Sequence, residues 1–496
     1  MKPPETAADP LGLSAPILSG IRWSSLSTYG QHALLLLTTA ALSRLLHPAD
    51  FGLLSMAMVA TRLPATFRDL GTGSAVIQHR EPSDEMLSTL FWIHMSFAAT
   101  TAALVWAAAP AVARFYGEPA VSGIVRVLSL TLLCWGPRVL QQSLLERSLQ
   151  FAPLARAEFI AAVFGSAAAI GLALCGGGVW SLAAQPIVSG GVASALIWSA
   201  SKWRPRLLFR WGAVREVARY SLNLTAFNAI NFASRNADNV IIGRALGAEA
   251  LGYYNLAYTL MLYPLMSVSV VIGRAAFPVY ARMQHDIPRL RRTFLLVAET
   301  VALASFPMLL GLMALCRPFI LAVFGQTWIP AVPLILILAP LGMVQSILTM
   351  NGAIYRATGR MGRQLALESG LTVLVVASFF AGLRWGIVGV TAAYAATSLI
   401  LAPLSGAAAY NLLGLPLREV AFVLRRPLAA GLFMAALLLP LRHGLPASIG
   451  PLATLALLVP AGVGIYLWAA RRLLGPRWDE ILKLLLPRRP EAKVIK

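Results

Sequence analysis

Long apolar runs, separated by short breaks, recur along the whole 496-residue chain. A helix needs about 20 mostly apolar residues to cross the hydrocarbon core of a bilayer. Apolar residue types make up 58% of the chain and charged types only 12%, which is more apolar surface than a soluble protein could bury. A disordered chain is excluded as well, because disorder goes with few apolar residues and many charges. The sequence therefore predicts an all-α integral membrane protein.

Charge clusters and Gly or Pro breaks divide the chain into fourteen candidate spans. The uncharged run 159–201 is too long for one crossing and breaks at Cys175-Gly-Gly-Gly178, which predicts two helices and a tight turn. The candidate spans are 23–46, 51–70, 86–109, 120–141, 154–174, 179–201, 217–242, 250–278, 293–315, 330–354, 365–383, 387–412, 427–441 and 449–470. No loop between them is long enough for a folded domain of roughly 50 residues. Any activity must therefore reside within the helical bundle.

The distribution of Lys and Arg among the loops predicts the orientation of the chain. With the N-terminus in the cytoplasm, the cytoplasmic segments hold 31 of the 41 Lys and Arg residues, and the opposite side holds six. Cytoplasmic loops of membrane proteins carry this excess, so both termini are predicted to be cytoplasmic. A nucleic-acid-binding protein would instead group its basic residues on one soluble face. The net charge of +21 is therefore not taken as a sign of nucleic acid binding.

Motifs for metal binding or hydrolysis are absent from the sequence. The three cysteines, Cys134, Cys175 and Cys316, are widely separated, and an odd count without CxxC spacing supports neither a disulfide framework nor a zinc site. There is no P-loop, no HExxH and no GxSxG with His and Asp partners. We therefore predict no metal site, no bound cofactor and no ATP hydrolysis.

A shift of 200 residues superposes Arg44 on Arg244, Gly52 on Gly252 and Pro64 on Pro264. The same offset aligns spans with spans and loops with loops of the same sidedness. This repeat predicts two six-helix lobes followed by two additional spans. The predicted divisions are an N-terminal lobe 1–201, a basic cytoplasmic linker 202–216, a C-terminal lobe 217–412, two further spans in 413–472 and a cytoplasmic tail 473–496. Parallel repeats of this kind place a substrate site between the lobes, near the bilayer midplane.

The seventh predicted span carries a polar stripe. Asn228, Asn231, Arg235 and Asp238 lie at i, i+3, i+7 and i+10, which is one helical face. A charge at the centre of a bilayer costs at least about 2.5–3.5 kcal/mol, so this face must meet a partner helix or a water-filled cavity. Two interpretations stay open: a contact seam in which Arg235 and Asp238 pair with each other, and the lining of a cavity.

Arginines on other spans extend this pattern. Arg22 begins the first span, Arg62 lies on the second and Arg274 on the eighth. Together with Arg235 they could converge from repeat-related helices into a cationic chamber. Arginine suits a diphosphate, because it makes bidentate, charge-assisted hydrogen bonds and keeps its proton. The alternative for Arg62 and Arg274 is that each side chain snorkels to the cytoplasmic interface.

Four acids within the predicted spans are candidates for coupling transport to an ion. Asp69, Asp238, Glu299 and Glu368 are the acids that could bind a proton or another cation at membrane depth. Pairing with a nearby arginine is the structural alternative for each of them.

Two segments carry a resemblance to a known family. The segment 43–52 (SRLLHPADFG) and the segment 235–247 (RNADNVIIGRALG) resemble the corresponding parts of bacterial Wzx-type oligosaccharide flippases. Those proteins belong to the multidrug/oligosaccharidyl-lipid/polysaccharide (MOP) superfamily. The similarity covers nearly the whole chain and is greatest to the exopolysaccharide and colanic-acid subgroup.

The resemblance implies fourteen helices in two lobes that work by alternating access. It implies translocation of an undecaprenyl-diphosphate-linked oligosaccharide from the cytoplasmic to the periplasmic leaflet of the bacterial inner membrane, for exopolysaccharide or O-antigen biosynthesis. The expected partners are this lipid-linked substrate, membrane lipids and polysaccharide polymerase machinery. Related lipid II flippases have arginines on the first, second and eighth spans, and Arg22, Arg62 and Arg274 occupy comparable stretches. Coupling to a H⁺ or Na⁺ gradient is common in the superfamily.

On this basis the chain is expected to be a membrane transporter and not an enzyme. Two alternatives within the superfamily are a lipid II exporter and a multidrug exporter. The cationic bias of the spans argues against the second, because sites for cationic drugs favour acids and aromatic residues. A membrane-embedded polysaccharide polymerase or ligase is a further alternative. Such enzymes usually carry a large periplasmic loop, and the sequence has no loop of that length.

Overall fold

The protein is described here from a computed structural model, which covers residues 15–67, 76, 82–208, 211–446 and 448–478. Throughout these residues the regular secondary structure is helical, and no strand is present among them. The all-α prediction is therefore confirmed for the described chain. Contacts divide the chain into two compact units, Met1–Gly252 and Tyr253–Lys496.

The described residues of the first unit form six helices and the first part of a seventh. The helices are α1 Ala15–Leu45, α2 Pro48–Ala65, α3 Asp84–Tyr116, α4 Ala120–Arg147, α5 Phe151–Leu174, α6 Val179–Ala200 and α7 Trp211–Pro264. Helix α5 packs against α6 and α1, and α4 packs against α3 and α6. Helix α7 continues beyond Gly252 into the second unit.

The ends of these helices follow from local sequence. Pro48 begins α2, where proline suits the first turn, and the His47 amide donates to the Asp50 carboxylate at 3.0 Å. Gly117 ends α3 with φ +76°, a left-handed conformation that glycine adopts readily. Helices α5 and α6 are separated at residues 175–178, as predicted from the glycine run.

The described residues of the second unit form the end of α7 and nine further α-helices, some of them short. These are α8 Val270–Arg282, α9 Ile287–Ala314, α10 Cys316–Val323, α11 Ala331–Leu348, α12 Asn351–Ala357, α13 Met361–Gly382, α14 Gly386–Tyr410, α15 Leu417–Gly444 and α16 Pro451–Leu474. One of its apolar clusters is centred on the buried rings of Tyr280, Phe294 and Tyr410. Helix α9 packs against α15 and α11, and α14 against α13 and α11.

Length and composition allow many of these helices to cross a membrane. Among the described residues, nine helical segments are long and apolar enough to do so. One of them, Met361–Leu413, is divided by a 3-10 turn at Leu383–Trp385, which separates α13 from α14. The chain is therefore a multi-pass membrane protein, and the exact number of fourteen spans stays a prediction.

Helix α7 runs through the predicted boundary between the seventh and eighth spans. Its backbone is non-helical at Gly247, where φ is +84° and ψ is 180°, and this kink falls between the predicted spans 217–242 and 250–278. Helix α7 also begins at Trp211, so the end of the predicted linker 202–216 is helical. The division of the chain into two lobes, a linker, two additional spans and a tail stays a prediction.

Two glycines bring α2 and α7 into direct backbone contact within the first unit. A Cβ atom added to Gly52 would lie 1.7 Å from the carbonyl oxygen of Ala248, and one added to Gly252 would lie 2.0 Å from that of Pro48. No real Cβ atom fits at such distances. The two contacts are related by the 200-residue shift found in the sequence, since Gly52 corresponds to Gly252 and Pro48 to Ala248. We refer to this pair of contacts as the glycine crossing.

Candidate substrate site

Several residues of the predicted site lie outside what the structure describes. Asp69 is not among the described residues, and for five others only the helical backbone is described. These five are Arg22 on α1, Asn228, Asn231 and Arg235 on α7, and Arg274 on α8. The convergence of four arginines into a chamber therefore stays a prediction.

Arg62 is the one predicted substrate-binding residue whose side chain is described. It lies in the last turn of α2, two residues before Pro64, and its side chain is exposed. An exposed guanidinium on a membrane helix is compatible with a water-filled cavity and with snorkelling to the interface. Both interpretations made from the sequence therefore stay open for Arg62.

The C-terminal end of the polar stripe on α7 is buried. The Asp238 side chain is 6% exposed, and its Oδ1 accepts a hydrogen bond of 2.7 Å from the Asn239 amide. Asn236 donates from Nδ2 to the Phe232 carbonyl at 2.8 Å. Within the described part of the chain, the buried Oδ1 of Asn239 makes no hydrogen bond. The stripe thus carries polar atoms into the interior of the first unit.

Glu299 on α9 forms an ion pair with the end of the described chain. Its side chain is 1% exposed, and its Oε2 lies 3.5 Å from Nη1 of Arg477. Arg477 is half-exposed and follows α16. This is an arginine pairing of the kind left open from the sequence, and it joins α9 to the segment that follows α16.

Glu368 on α13 has a different environment. Its Oε1 accepts a hydrogen bond of 2.7 Å from the Ser405 hydroxyl on α14. A carboxylate held by a neutral hydroxyl can take up a proton without breaking an ion pair. Glu368 is half-buried, so it combines partial access with a fixed position.

Further polar groups lie in the second unit on α11, α12 and α14. Gln345 donates from Nε2 to the Tyr394 hydroxyl at 3.1 Å. Asn351 begins α12 and is 2% exposed, and neither atom of its side-chain amide makes a hydrogen bond among the described residues. These residues were not predicted from the sequence. The available signal was the presence of Gln345 and Asn351 within the apolar span 330–354.

A second set of polar contacts in the first unit was also missed. Arg138 on α4 donates from Nη2 to Oε1 of Glu158 on α5 at 2.8 Å. One turn further along α4, Gln142 donates from Nε2 to Oε1 of Glu146 at 2.8 Å. Gln142 and Glu146 lie in the predicted loop between spans, so the search for charges at membrane depth did not include them. Arg138 and Glu158 lie inside the predicted spans 120–141 and 154–174 and were overlooked there.

The described residues contain no group of three or more His, Cys, Asp or Glu that could hold a metal ion. The three cysteines are free, with Cys175 exposed, Cys134 half-buried and Cys316 buried.

Comparison with known families and proteins gives consistent matches over most of the chain. A family model described as "Polysaccharide biosynthesis protein" matches residues 41–333, more than half of the chain. The teichuronic acid biosynthesis protein TuaB of Bacillus subtilis (strain 168) is 27% identical over 75% of this chain and 78% of its own length. The lipopolysaccharide biosynthesis protein WzxC of Escherichia coli (strain K12) is 28% identical over 79% of this chain and 80% of its own length.

Solved structures with the same fold are also found. The lipid II flippase MurJ in an inward closed conformation superposes with a TM-score of 0.75 at 13% identity, over 93% of this chain and all of that chain. A multidrug resistance MATE family transporter of the MOP superfamily, in an inward-facing conformation, gives 0.62 at 16% identity, over 77% of this chain and 94% of that chain. At these identities the likeness shows the fold, and it confirms the transporter fold that the sequence resemblance implied.

Proposed function

This chain belongs to the polysaccharide biosynthesis protein family, and from that membership we propose that it is a flippase for a lipid-linked oligosaccharide. The observation that carries the proposal is the family match over residues 41–333 on a chain that has the fold of a lipid flippase along 93% of its length. The substrate is an undecaprenyl-diphosphate-linked oligosaccharide, which moves from the cytoplasmic to the periplasmic leaflet. The chain is a transporter and not an enzyme.

Translocation of the proposed substrate needs a protein because its headgroup is polar and charged. Sugar hydroxyls and two phosphates cannot enter hydrocarbon without partners, since burying an unpaired charge costs many kcal/mol. A hydrated path through the protein replaces the water around the headgroup, while the polyprenyl chain stays in lipid. Alternating exposure of that path to the two sides then moves the headgroup across.

The diphosphate is proposed to bind a cationic chamber within this path. Its guanidinium groups come from Arg22, Arg62, Arg235 and Arg274, with Asn228 and Asn231 as further donors. Bidentate hydrogen bonds from arginine match the geometry of phosphate oxygens. Support for this assignment comes from the position of these residues in predicted spans and from the exposed side chain of Arg62.

Coupling to a proton or sodium gradient is proposed to use Glu368. Its hydrogen bond from Ser405 holds the carboxylate, which forms no ion pair among the described residues, so a cation can bind and leave. Glu299 is a weaker candidate, because Arg477 already compensates its charge. Asp69 and Asp238 remain candidates for the same role. No other cofactor is proposed.

The cellular setting follows from the family. We place the protein in the bacterial inner membrane with both termini in the cytoplasm, as the Lys and Arg distribution predicts. Its product on the periplasmic leaflet would be used by a polysaccharide polymerase for exopolysaccharide or O-antigen synthesis. That machinery is the partner that the proposal implies.

Deletion of the gene, followed by lipid analysis of each leaflet, tests the proposal. The expected result is a build-up of complete, unpolymerised lipid-linked units on the cytoplasmic leaflet. Single units on the periplasmic leaflet would point to a polymerase instead. Accumulation of lipid II would favour the lipid II alternative, which the likeness to the MurJ fold brings into consideration.

A further inference from the structure

A polar cavity lies between α1, α4 and α5 in the first unit. Its volume is about 140 Å³, well above the roughly 10–15 Å³ that a single water needs by a comparable measure. Six of its lining residues are Ser27, Thr28, Gln142, Glu146, Phe151 and Glu158. Five of these six carry hydrogen-bonding side chains, and Phe151 adds one aromatic ring. We refer to this space as the α1–α4–α5 cavity.

Hydrogen bonds hold the polar groups of the cavity in defined positions. Gln142 donates to Glu146 at 2.8 Å, and Arg138 holds Glu158 at 2.8 Å. On the α1 side, Ser27 donates from Oγ to the Ala155 carbonyl at 2.8 Å and accepts from Gln31 at 2.9 Å. Groups that are fixed in this way lose little conformational entropy when a ligand binds.

The charges of the cavity select against phosphate. Two carboxylates, from Glu146 and Glu158, line it, and Arg138 forms an ion pair with Glu158. A diphosphate would therefore meet like charge at this position. Carboxylates and amides instead suit hydroxyl groups, because each carboxylate oxygen accepts from a hydroxyl and the amide both donates and accepts.

The position of the cavity fits an encounter with the substrate headgroup. Gln142, Glu146 and Phe151 fall in the loop between the fourth and fifth predicted spans, which the Lys and Arg distribution assigns to the cytoplasm. A flippase substrate arrives from that side with its sugars in water. The ring of Phe151 offers an apolar surface on which the C–H face of a sugar can pack.

We propose that the α1–α4–α5 cavity binds hydroxyl groups of the oligosaccharide headgroup and so contributes to selection of the sugar unit. This inference rests on the proposed function, and it assigns to the cavity a role separate from that of the arginines. The arginines bind the diphosphate that every such substrate shares. The cavity recognises the part of the headgroup that differs between substrates.

The test compares two lipids on purified protein in nanodiscs. The probes are a lipid-linked oligosaccharide extracted from a polymerase-deficient strain of the source bacterium and undecaprenyl diphosphate without sugar. Glu146→Gln and Gln142→Ala should each weaken binding of the sugar-bearing lipid at least about tenfold, because Glu146→Gln replaces a charged acceptor by a neutral amide and Gln142→Ala removes an amide that can bind a hydroxyl group. Binding of undecaprenyl diphosphate should stay within about twofold of wild type. Glu146→Gln keeps the volume of the side chain, so it remains informative if Gln142→Ala lowers the yield.

Glu118→Gln is the matched control. Glu118 is also half-buried in the first unit, but it lies in the turn between α3 and α4 and does not line the cavity. It should leave both affinities unchanged. Equal weakening of both lipids by the cavity variants, or no change for either lipid, would overturn the inference and leave the flippase proposal standing. Failure of the wild-type protein to bind either lipid would overturn the flippase proposal and the inference together.

Discussion

Two acids on the helices of the second unit are stabilised in different ways. Glu299 is almost fully buried and pairs with Arg477, whereas Glu368 is half-buried and accepts a hydrogen bond from Ser405. Protonation of Glu299 would leave the arginine without its partner. Protonation of Glu368 would only change the direction of one hydrogen bond. This difference explains why Glu368 is the better candidate for ion coupling.

Replacement of the Glu368 carboxylate should stop transport without unfolding the protein. Glu368→Gln keeps the volume and can still accept from Ser405, but it cannot take up a proton or neutralise a cation. Polymer production in a deletion strain should fall at least about tenfold, while the amount of protein in the membrane stays the same. Glu85→Gln, an exposed acid in the first turn of α3, is the control and should restore production fully. Normal production with Glu368→Gln would remove this residue from the proposal.

Substitution of Arg62 separates binding of a diphosphate from snorkelling. Lysine keeps the charge but loses the planar fork that binds phosphate in a bidentate manner. If Arg62 contacts the diphosphate, Arg62→Lys should restore polymer production only partly and Arg62→Ala should not restore it. Arg114→Lys and Arg114→Ala, at an exposed position in the last turn of α3, should both behave as wild type. Full restoration by Arg62→Lys would favour the snorkelling interpretation.

At the scale of the helices, the turn at 175–178 was predicted from its glycine run. The start of α2 at Pro48 and the kink at Gly247 coincide with a proline and a glycine, but neither residue was used to predict a helix end. The π-helical turn Leu265–Ser269 directly follows Pro264 but was not predicted, and the break between α11 and α12 has no such marker. These irregularities depend on how neighbouring helices pack, which a single sequence does not reveal.

The candidate site was less accessible to prediction than the helices. Charges inside apolar runs are visible in a sequence, and they led to Arg62, Asp238, Glu299 and Glu368. The α1–α4–α5 cavity was not predicted, because its residues come from three helices whose adjacency is known only from the fold. Its acids, Glu146 and Glu158, also lie toward the ends of α4 and α5. A charge near the end of a membrane helix is common, so it does not indicate a site.

The close contact at the glycine crossing predicts that a side chain at either glycine lowers the stability of the protein. Gly52→Ala and Gly252→Ala each place a methyl group on a backbone carbonyl, and overpacking of this kind costs about 1–3 kcal/mol or more. Either variant should lower the midpoint of thermal unfolding of the purified protein. Gly171→Ala on α5 is the control, because an added Cβ there meets nothing within 4 Å and alanine favours a helix by about 0.5–1 kcal/mol. Equal thermal midpoints for all three variants would contradict the contact.

At the scale of the whole molecule, the orientation in the membrane can be tested with a native cysteine. Cys175 is exposed in the turn between α5 and α6, whereas Cys134 is half-buried and Cys316 buried. The predicted topology places this turn in the periplasm. A membrane-impermeant maleimide added to spheroplasts should therefore label the protein, and Cys175→Ser should abolish the labelling. Labelling that requires disruption of the membrane would invert the predicted topology.

An internal repeat can make a protein redundant, because one copy can change while the other copy keeps its role. At the glycine crossing the opposite holds, since each copy supplies the glycine that admits the other copy's carbonyl. A mutation of either glycine therefore disrupts the contact between α2 and α7 to which both copies contribute. At Gly52 and Gly252, a side chain added on one helix is blocked by the backbone of the other helix.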